Sequence, residues 1–289
     1  MITKKNKQDN EVYILGSEIK EKRKGLTTRV KWLILTICSL LILASLLLII
    51  LTKEQAAPEY YFEPEETSSE SVSMIIDSAT NLGMEGYLEV LSDTINDVPL
   101  LLYIPNGATM SLSIGMPDKS NTSIIYAAMA ADIRKDNQKI VGDFVVAGEQ
   151  LSRGVAKKGF CAIQDKTVSI GVGESTPLLE QVIANKGSFF RQYPLVHNGE
   201  LIENKPKNKS IRRALAIRNE QVLMIESRNN ESFHDFSQAL IDIGVSDAIY
   251  LVGGNAYGWY YNKEGVLQEF GEELSDVPEN ISYITWHIK

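Results

Sequence analysis

The sequence predicts an α+β domain built on a mixed β-sheet with a few helices, preceded by one N-terminal transmembrane helix. Three observations carry that expectation. Leu33 to Leu51 is apolar apart from Thr36, Ser39 and Ser45 and holds no charge. From Pro99 onward, short apolar or alternating runs follow one another between turn signals, as strands do. Only two or three stretches carry helical spacing, and many strands with few helices define the α+β class.

At about 1.5 Å per residue, a helix over 32–52 covers roughly the 30 Å hydrocarbon core. Trp32 sits at one boundary, where an indole is favoured. A buried helix of a soluble domain needs a polar face, and this stretch has none. Residues 1–31 hold nine Lys or Arg against four Asp or Glu, a net +5; the rest of the chain therefore carries −13 of a total of −8. The basic side is retained in the cytoplasm. The expectation is a single pass through the cytoplasmic (inner) membrane, with the C-terminal domain periplasmic or extracellular. A cleaved signal peptide competes with this reading, but its apolar region would be long, and Pro58 after Ala56-Ala57 spoils a cleavage site. Lipid attachment at Cys38 fails because bulky Ile37 precedes it.

The organisation that follows is a basic tail over 1–31 lying against anionic lipid, the span over 32–52 in contact with the bilayer, a flexible acidic linker over 53–73, and a domain over 74–289. The linker is rich in Glu, Ser and Pro, with Tyr60, Tyr61 and Phe62 as its aromatic interruption. Within the domain, Leu88 to Thr94 reads as a short helix. Leu100 to Ile104 and Met110 to Ile114 read as strands around Pro105-Asn106-Gly107. Ile124 to Ala131 is a buried strand, and Val141 to Ala147 another. Phe160 to Ile163 and Thr167 to Val172 pair across Gln164-Asp165-Lys166, and Pro177 to Ala184 is helical. Ala214 to Ile217 and Val222 to Glu226 form a hairpin about Asn219-Glu220; Gly258 to Tyr261 and Val266 to Phe270 form another, and Ile281 to Ile288 closes the chain. Cys161 is the single cysteine of the exported part, so no disulfide forms within it. Neither cysteine has the neighbours zinc needs. No metal and no cofactor is assigned. The acidic exported part argues against nucleic acid as a partner.

Ser232 to Tyr261 is the most informative stretch. Ser232 caps a helix whose Asp235 can return the bond; Phe233, Phe236, Leu240 and Ile243 share one face, and Gly244 ends it. Ala248 to Val252 follows as a strand too apolar for a wet face. It delivers Gly253-Gly254-Asn255, where a backbone can approach a ligand closely. Gly244 to Gly254 resembles a motif of the phosphodiester glycosidase family, whose version ends Leu-Asp-Gly-Gly-Gly-Ser. Arg212 to Ile217 resembles that family's Arg-Thr-Ala-Ile-Gly-Ile strand, and Pro194 to Gly199 its Pro-x-Leu-Val-x-Asn-Gly segment. Three positions depart from the pattern: Val252 replaces the motif aspartate, Ala256 the serine and Arg213 the threonine. The early Asn-Gly-x-Phe-Phe segment has no clear copy at Ala127 to Asp132.

The resemblance implies action on glycan-linked phosphodiesters or envelope polysaccharide, with a glycan or sugar phosphodiester as ligand. Such chemistry needs cations for the phosphate, a proton carrier and a surface for the sugar. Arg212 aligns with the motif arginine, and Arg213 and Arg191 are further candidates, each weighed against a surface arginine paired with a carboxylate. Arg212 and Arg213 face opposite sides of a strand. Asp132, Asp143 and Glu226 at strand ends are the candidate catalytic carboxylates. His197 occupies a variable position of the matched segment, and His234 and His287 read as surface histidines. Gly253, Gly254 and Asn255 offer backbone contacts, and Trp259, sharing a face with Tyr257 and Tyr261, offers a stacking platform or a core residue. Loss of the motif aspartate motivates the alternative of a catalytically inactive member binding glycan or protein in the cell envelope. A structural partner in an envelope assembly is the third class.

Overall fold

Left-handed residues at the turns decide how this chain folds back on itself. Asn96 and Asp97 (φ 49° and 66°), Asp165 (54°), Asn198 (52°), and Asn219 and Glu220 (49° and 61°) adopt positive φ between consecutive strands. Such turns match the twist of the strands they join and enforce antiparallel neighbours. In the computed structural model the described residues are 70–75, 86–273, 275, 278 and 280–289, with seven helical positions between 29 and 45. Those from Glu70 on belong to one unit, Glu63–Lys289.

Eighteen strands and two helices are described in that unit, in three sheets. The first has six strands, ordered β1 (Glu70–Ile75), β9 (Thr167–Val172), β8 (Gly159–Gln164), β10 (Ser188–Gln192), β6 (Phe144–Val146) and β7 (Glu149–Ser152). The second has seven: β12 (Glu200–Leu201), β11 (Pro194–His197), β15 (Val245–Leu251), β13 (Arg213–Arg218), β14 (Gln221–Ser227), β3 (Val98–Asn106) and β2 (Tyr87–Ile95). The third has five: β17 (Leu267–Phe270), β16 (Gly258–Tyr261), β5 (Ile124–Met129), β18 (Ser282–Ile288) and β4 (Ala108–Ile114). Helices α1 (Pro177–Ala184) and α2 (Phe233–Asp242) complete it.

One core serves all three sheets. Cys161, Ile170 and Phe190 of the first meet Leu215, Met224 and Ile249 of the second and Leu112, Ala128 and Trp286 of the third. Burial pushes the Cys161 thiol far above its ordinary pKa, consistent with a small core residue. Helix α2 covers the other face of the seven-stranded sheet, laying Phe233, Phe236, Leu240 and Ile243 on Leu100, Ala214, Ala216 and Ala248. Each such side chain contributes about 1.5–3 kcal/mol of burial. The cap forms as the sequence anticipates: Ser232 Oγ accepts from Asp235 N–H at 3.0 Å and donates to Asp235 Oδ2 at 2.8 Å. Gly244, at φ 87°, ends the helix. Val182 of α1 packs on Phe160 and Phe189 across the first sheet.

Four expectations are corrected. The sheets are not mixed: every described strand pairing is antiparallel. Leu88 to Thr94 is not helical but forms the body of edge strand β2, paired with β3 from Tyr87↔Asn106 to Ile95↔Val98. The linker assigned to 53–73 ends early, since Glu70–Ile75 pairs with β9. The strand assigned to Ala248 to Val252 runs instead from Val245 to Leu251, which places Asp247 within β15, fully buried. Within the expected membrane span, Trp32, Leu35, Thr36, Ile37, Ser39 and Ser45 are helical, and the other residues of the span lie outside the described ones. Among the described residues, no helix is long and apolar enough to cross a membrane.

Candidate active site

The candidate site forms where β15, the segment before β13, and the ends of β5 and β10 converge. Alternation along β15 sends Ile249 and Leu251 into the shared core and Tyr250 to the α2 face. The Tyr250 hydroxyl accepts the Gly253 N–H at 3.0 Å, and the Gly254 N–H donates to the Ile211 carbonyl at 2.8 Å. Val252 N–H donates to the Met129 carbonyl at 3.2 Å, tying the glycine turn to the end of β5. A Cβ on Gly253 would stand 2.2 Å from the Ile211 carbonyl oxygen, so this residue type is demanded by close backbone approach. Gly253→Ala is expected to lower stability by about 1–3 kcal/mol, read as a lower urea midpoint at unchanged slope.

Arg212 precedes β13 and is 3% exposed. Its Nε donates to the Glu231 carbonyl at 2.9 Å and its Nη2 to the Asn208 carbonyl. The guanidinium lies 4.0 Å from the Phe233 ring centroid and 5.9 Å from that of Tyr250. Arg212 and the glycine turn therefore lie on the same side of the sheet, joined through Tyr250. Phe233, Tyr193 and Tyr250 pack edge to face or tilted, with centroids 5.0 Å apart for Phe233–Tyr250 and 5.4 Å for Tyr193–Phe233.

A second cation stands beyond Tyr193. Lys157 is 2% exposed, and its Nζ lies 4.4 Å from the Tyr193 ring centroid. It is hydrogen-bonded to Asp132 and donates to Gln192 Oε1 at 2.8 Å. Burial pulls the Lys157 ammonium below the ordinary lysine range, against the opposing pull of Asp132. The Asp132 side chain keeps 31% exposure, so it is the open edge of the pair. The Tyr250 phenol is raised first by burial and then by the Asp132 carboxylate, with Arg212 opposing. Two cations, one accessible carboxylate and a phenol thus act on one another across elements far apart in sequence. Cations of this kind can bind a phosphate, and an accessible carboxylate can carry a proton.

The other sequence candidates lie elsewhere. Arg191, 1% exposed, pairs with Asp143 at 2.7 Å and donates to the carbonyls of Gly173 at 2.8 Å and Glu174 at 2.7 Å. Asp143 also accepts the Gly154 N–H at 3.0 Å, so each of the two is the other's structural partner. Arg213 turns to the opposite face from Arg212. It pairs with Glu226 and donates through Nη1 to the carbonyls of Val252 at 3.1 Å and Ala256 at 2.8 Å. It therefore shapes the glycine turn from behind, and Glu226 is its counter-charge. Asn255 is exposed on that turn, and its carbonyl accepts from Glu272 N–H at 3.0 Å. Trp259 is fully buried, so of its two readings this structure shows the core residue and no open platform. His197 Nδ1 pairs with Asp247 Oδ1 at 2.8 Å at the other end of β15, and His234 with exposed Glu203. Lys157 is the site residue that sequence reasoning missed. Its neighbours Lys158 and Gly159 give no local pattern, and its partners lie 25 and 35 residues away. Among the described residues no group of three or more His, Cys, Asp or Glu has metal-binding geometry.

The class that the described residues define is an antiparallel three-sheet domain with two helices. The family model for phosphodiester glycosidase matches residues 123–282, from β5 into β18, and the chain belongs to that family. Among solved structures it is similar to the catalytic domain of zebrafish N-acetylglucosamine-1-phosphodiester alpha-N-acetylglucosaminidase auto-inhibited by its pro-peptide. That match has a TM-score of 0.52 and 14% identity, covering 76% of this chain and 88% of that one. A hypothetical protein from Synechocystis matches with a TM-score of 0.45 and 11% identity, over 71% of this chain and 62% of that one. No curated protein sequence matches.

Proposed function

We propose that the protein is a membrane-anchored, extracytoplasmic phosphodiester glycosidase acting on sugar-1-phosphodiesters of glycans or envelope polysaccharide. Arg212 and Lys157 grip the phosphate, Asp132 moves the proton, and the glycine turn lets the substrate approach the backbone. The observation that carries the reading is the pairing of buried Lys157 with half-open Asp132, with the Asp132 charge felt by Tyr250 beside Arg212 and Gly253. The zebrafish enzyme's name supplies the first substrate to try, an N-acetylglucosamine-1-phosphodiester. The full chain in detergent should release free sugar from it, and Asp132→Asn should cut turnover about 10²-fold or more. Absence of turnover across pH and added divalent cations would sink the catalytic reading. The anchor rests on the uncharged run from Leu33 to Leu51 and the basic tail before it. Its test is protease added to intact spheroplasts, which should remove a tag placed after Lys289 and spare one placed before Met1.

One observation favours the second reading, a non-catalytic glycan binder. Val252, at the motif's aspartate position, packs with Met129, Tyr257 and Ala256 in an apolar cluster. A valine there neither accepts a hydrogen bond nor moves a proton. Binding of the same phosphodiester with no release of sugar would favour this reading over the first.

A further inference from the structure

The face of the five-stranded sheet turned away from the shared core gathers polar and aromatic side chains in register. Ala127 of β5 lies between Trp259 of β16 and Thr285 of β18, and Thr285 faces Ser111 of β4. One row along, Tyr283 stands beside Met129. Alternation puts Tyr283, Thr285 and His287 on this face, while Ile284 and Trp286 enter the core. Ser111 Oγ, Thr285 Oγ1 and His287 Nε2 bond in a triangle of 2.8, 2.9 and 2.8 Å. Trp259 and Tyr283 are each fully buried. Neither the indole N–H nor the phenol hydroxyl finds a hydrogen-bond partner among the described residues. Two buried donors left unmet are costly, and a ligand that met them would be favoured; the Trp286 indole N–H is likewise unmet, on the core face.

Lys119 holds the middle of the segment 115–123 over this face. The ends of the segment are fixed by the Gly115 N–H on the Ile281 carbonyl and the Ile288 N–H on the Ser123 carbonyl, each at 2.8 Å. Met116 packs against the cluster that contains Trp259 and Tyr283. Lys119 Nζ donates to the Tyr257 hydroxyl at 2.9 Å, to Glu269 at 3.1 Å and to Glu273 at 3.0 Å. The Lys119 carbonyl accepts from the Tyr261 hydroxyl at 2.7 Å. The two carboxylates are about half exposed, so water and salt screen the latch and leave it easy to open.

We propose that this face is a second binding site, latched shut by Lys119, which takes a neutral hexopyranose ring of a polysaccharide. Once the segment lifts, small Ala127 provides the floor between Trp259 and Thr285 on which a sugar lies against the indole; in the closed form all three are buried. The indole N–H and the Tyr283 hydroxyl supply donors to its oxygens, and Ser111, Thr285 and His287 supply both donors and acceptors. Burial lowers the His287 pKa and keeps its imidazole neutral. Glu269 and Glu273 at the rim disfavour an anion, so this site takes neutral rings and not the phosphate proposed for the Lys157–Arg212 site. The choice of a glycan rests on the reading that the protein works on glycans.

The test uses the full chain in detergent carrying Trp32→Phe, so that emission comes from Trp259 and from Trp286 on the core face. Lys119→Met should at least double acrylamide quenching. Maltohexaose, cellohexaose and mannohexaose are then titrated, and at least one should shift emission with an apparent Kd about tenfold lower in Lys119→Met than in its parent. Adding Ser111→Ala with Thr285→Val should remove the shift. Should Lys119→Met fail to fold, Glu269→Gln with Glu273→Gln loosens the same latch. Unchanged quenching, or no response to any of the three sugars in a folded variant, overturns the inference. Sugar binding without phosphodiester turnover upholds this site and sinks the catalytic reading; turnover with no hexasaccharide response does the reverse.

Discussion

Replacing Arg191 with methionine is expected to cost about 3–5 kcal/mol, because it strands the Asp143 carboxylate in the interior. Asp143 has 9% side-chain exposure and, among the described residues, keeps only the Gly154 N–H as a donor. The same change withdraws donors from the carbonyls of Gly173 and Glu174, which tie the strand after α1 to the segment before it. Domains of this size hold about 5–15 kcal/mol in total, so the variant should sit close to unfolding. Removing both charges is a different matter. Arg191→Met with Asp143→Leu leaves no unpaired ion, and it should recover at least half of the loss. Urea midpoints at constant slope give both numbers. A loss below about 1 kcal/mol for the single variant would mean that water reaches Asp143.

That pair also shows where sequence reasoning reaches its limit. Asp143 and Arg191 look like site residues because strand-end carboxylates and arginines populate sites, and only the fold reveals that each satisfies the other across 48 residues. Local features were legible. The capping pair Ser232 and Asp235, the stop at Gly244 and the turn at Asn219-Glu220 are set by neighbours within four residues, and all three form. Strand β2 was misread because Leu88 and Leu91 share helical spacing. Pairing with β3 over nine residues outweighs that propensity, leaving Leu88 buried and Leu91 exposed. Phe189 and Phe190 both bury because β10 is covered on both faces, one ring by α1 and its neighbours, the other by the shared core. Such double burial erases the alternation that announces a strand. Tyr257, Trp259 and Tyr261 do share a face, and the segment carrying Lys119, more than 130 residues earlier, helps bury it.

Lys157→Met is expected to slow turnover about 10²-fold while leaving the protein at least as stable as its parent. Lysine at this position is held below its ordinary pKa by burial, and Asp132 only partly compensates. Between that lowered value and the ordinary 10.5, the unfolded chain binds a proton that the folded chain lacks. Stability of the parent therefore rises with pH across that window, and below it the folded state carries the charge at full penalty. Methionine keeps the apolar stem against Tyr193 and removes the penalty, and Asp132 is exposed enough to stay solvated alone. The variant should lose the alkaline rise, melt no lower at neutral pH, and turn over a sugar-1-phosphodiester about 10²-fold more slowly. A group that destabilises its own fold persists where function requires it. A variant that melts several degrees lower yet keeps full turnover would make Lys157 a structural cation and move the phosphate away from Tyr193.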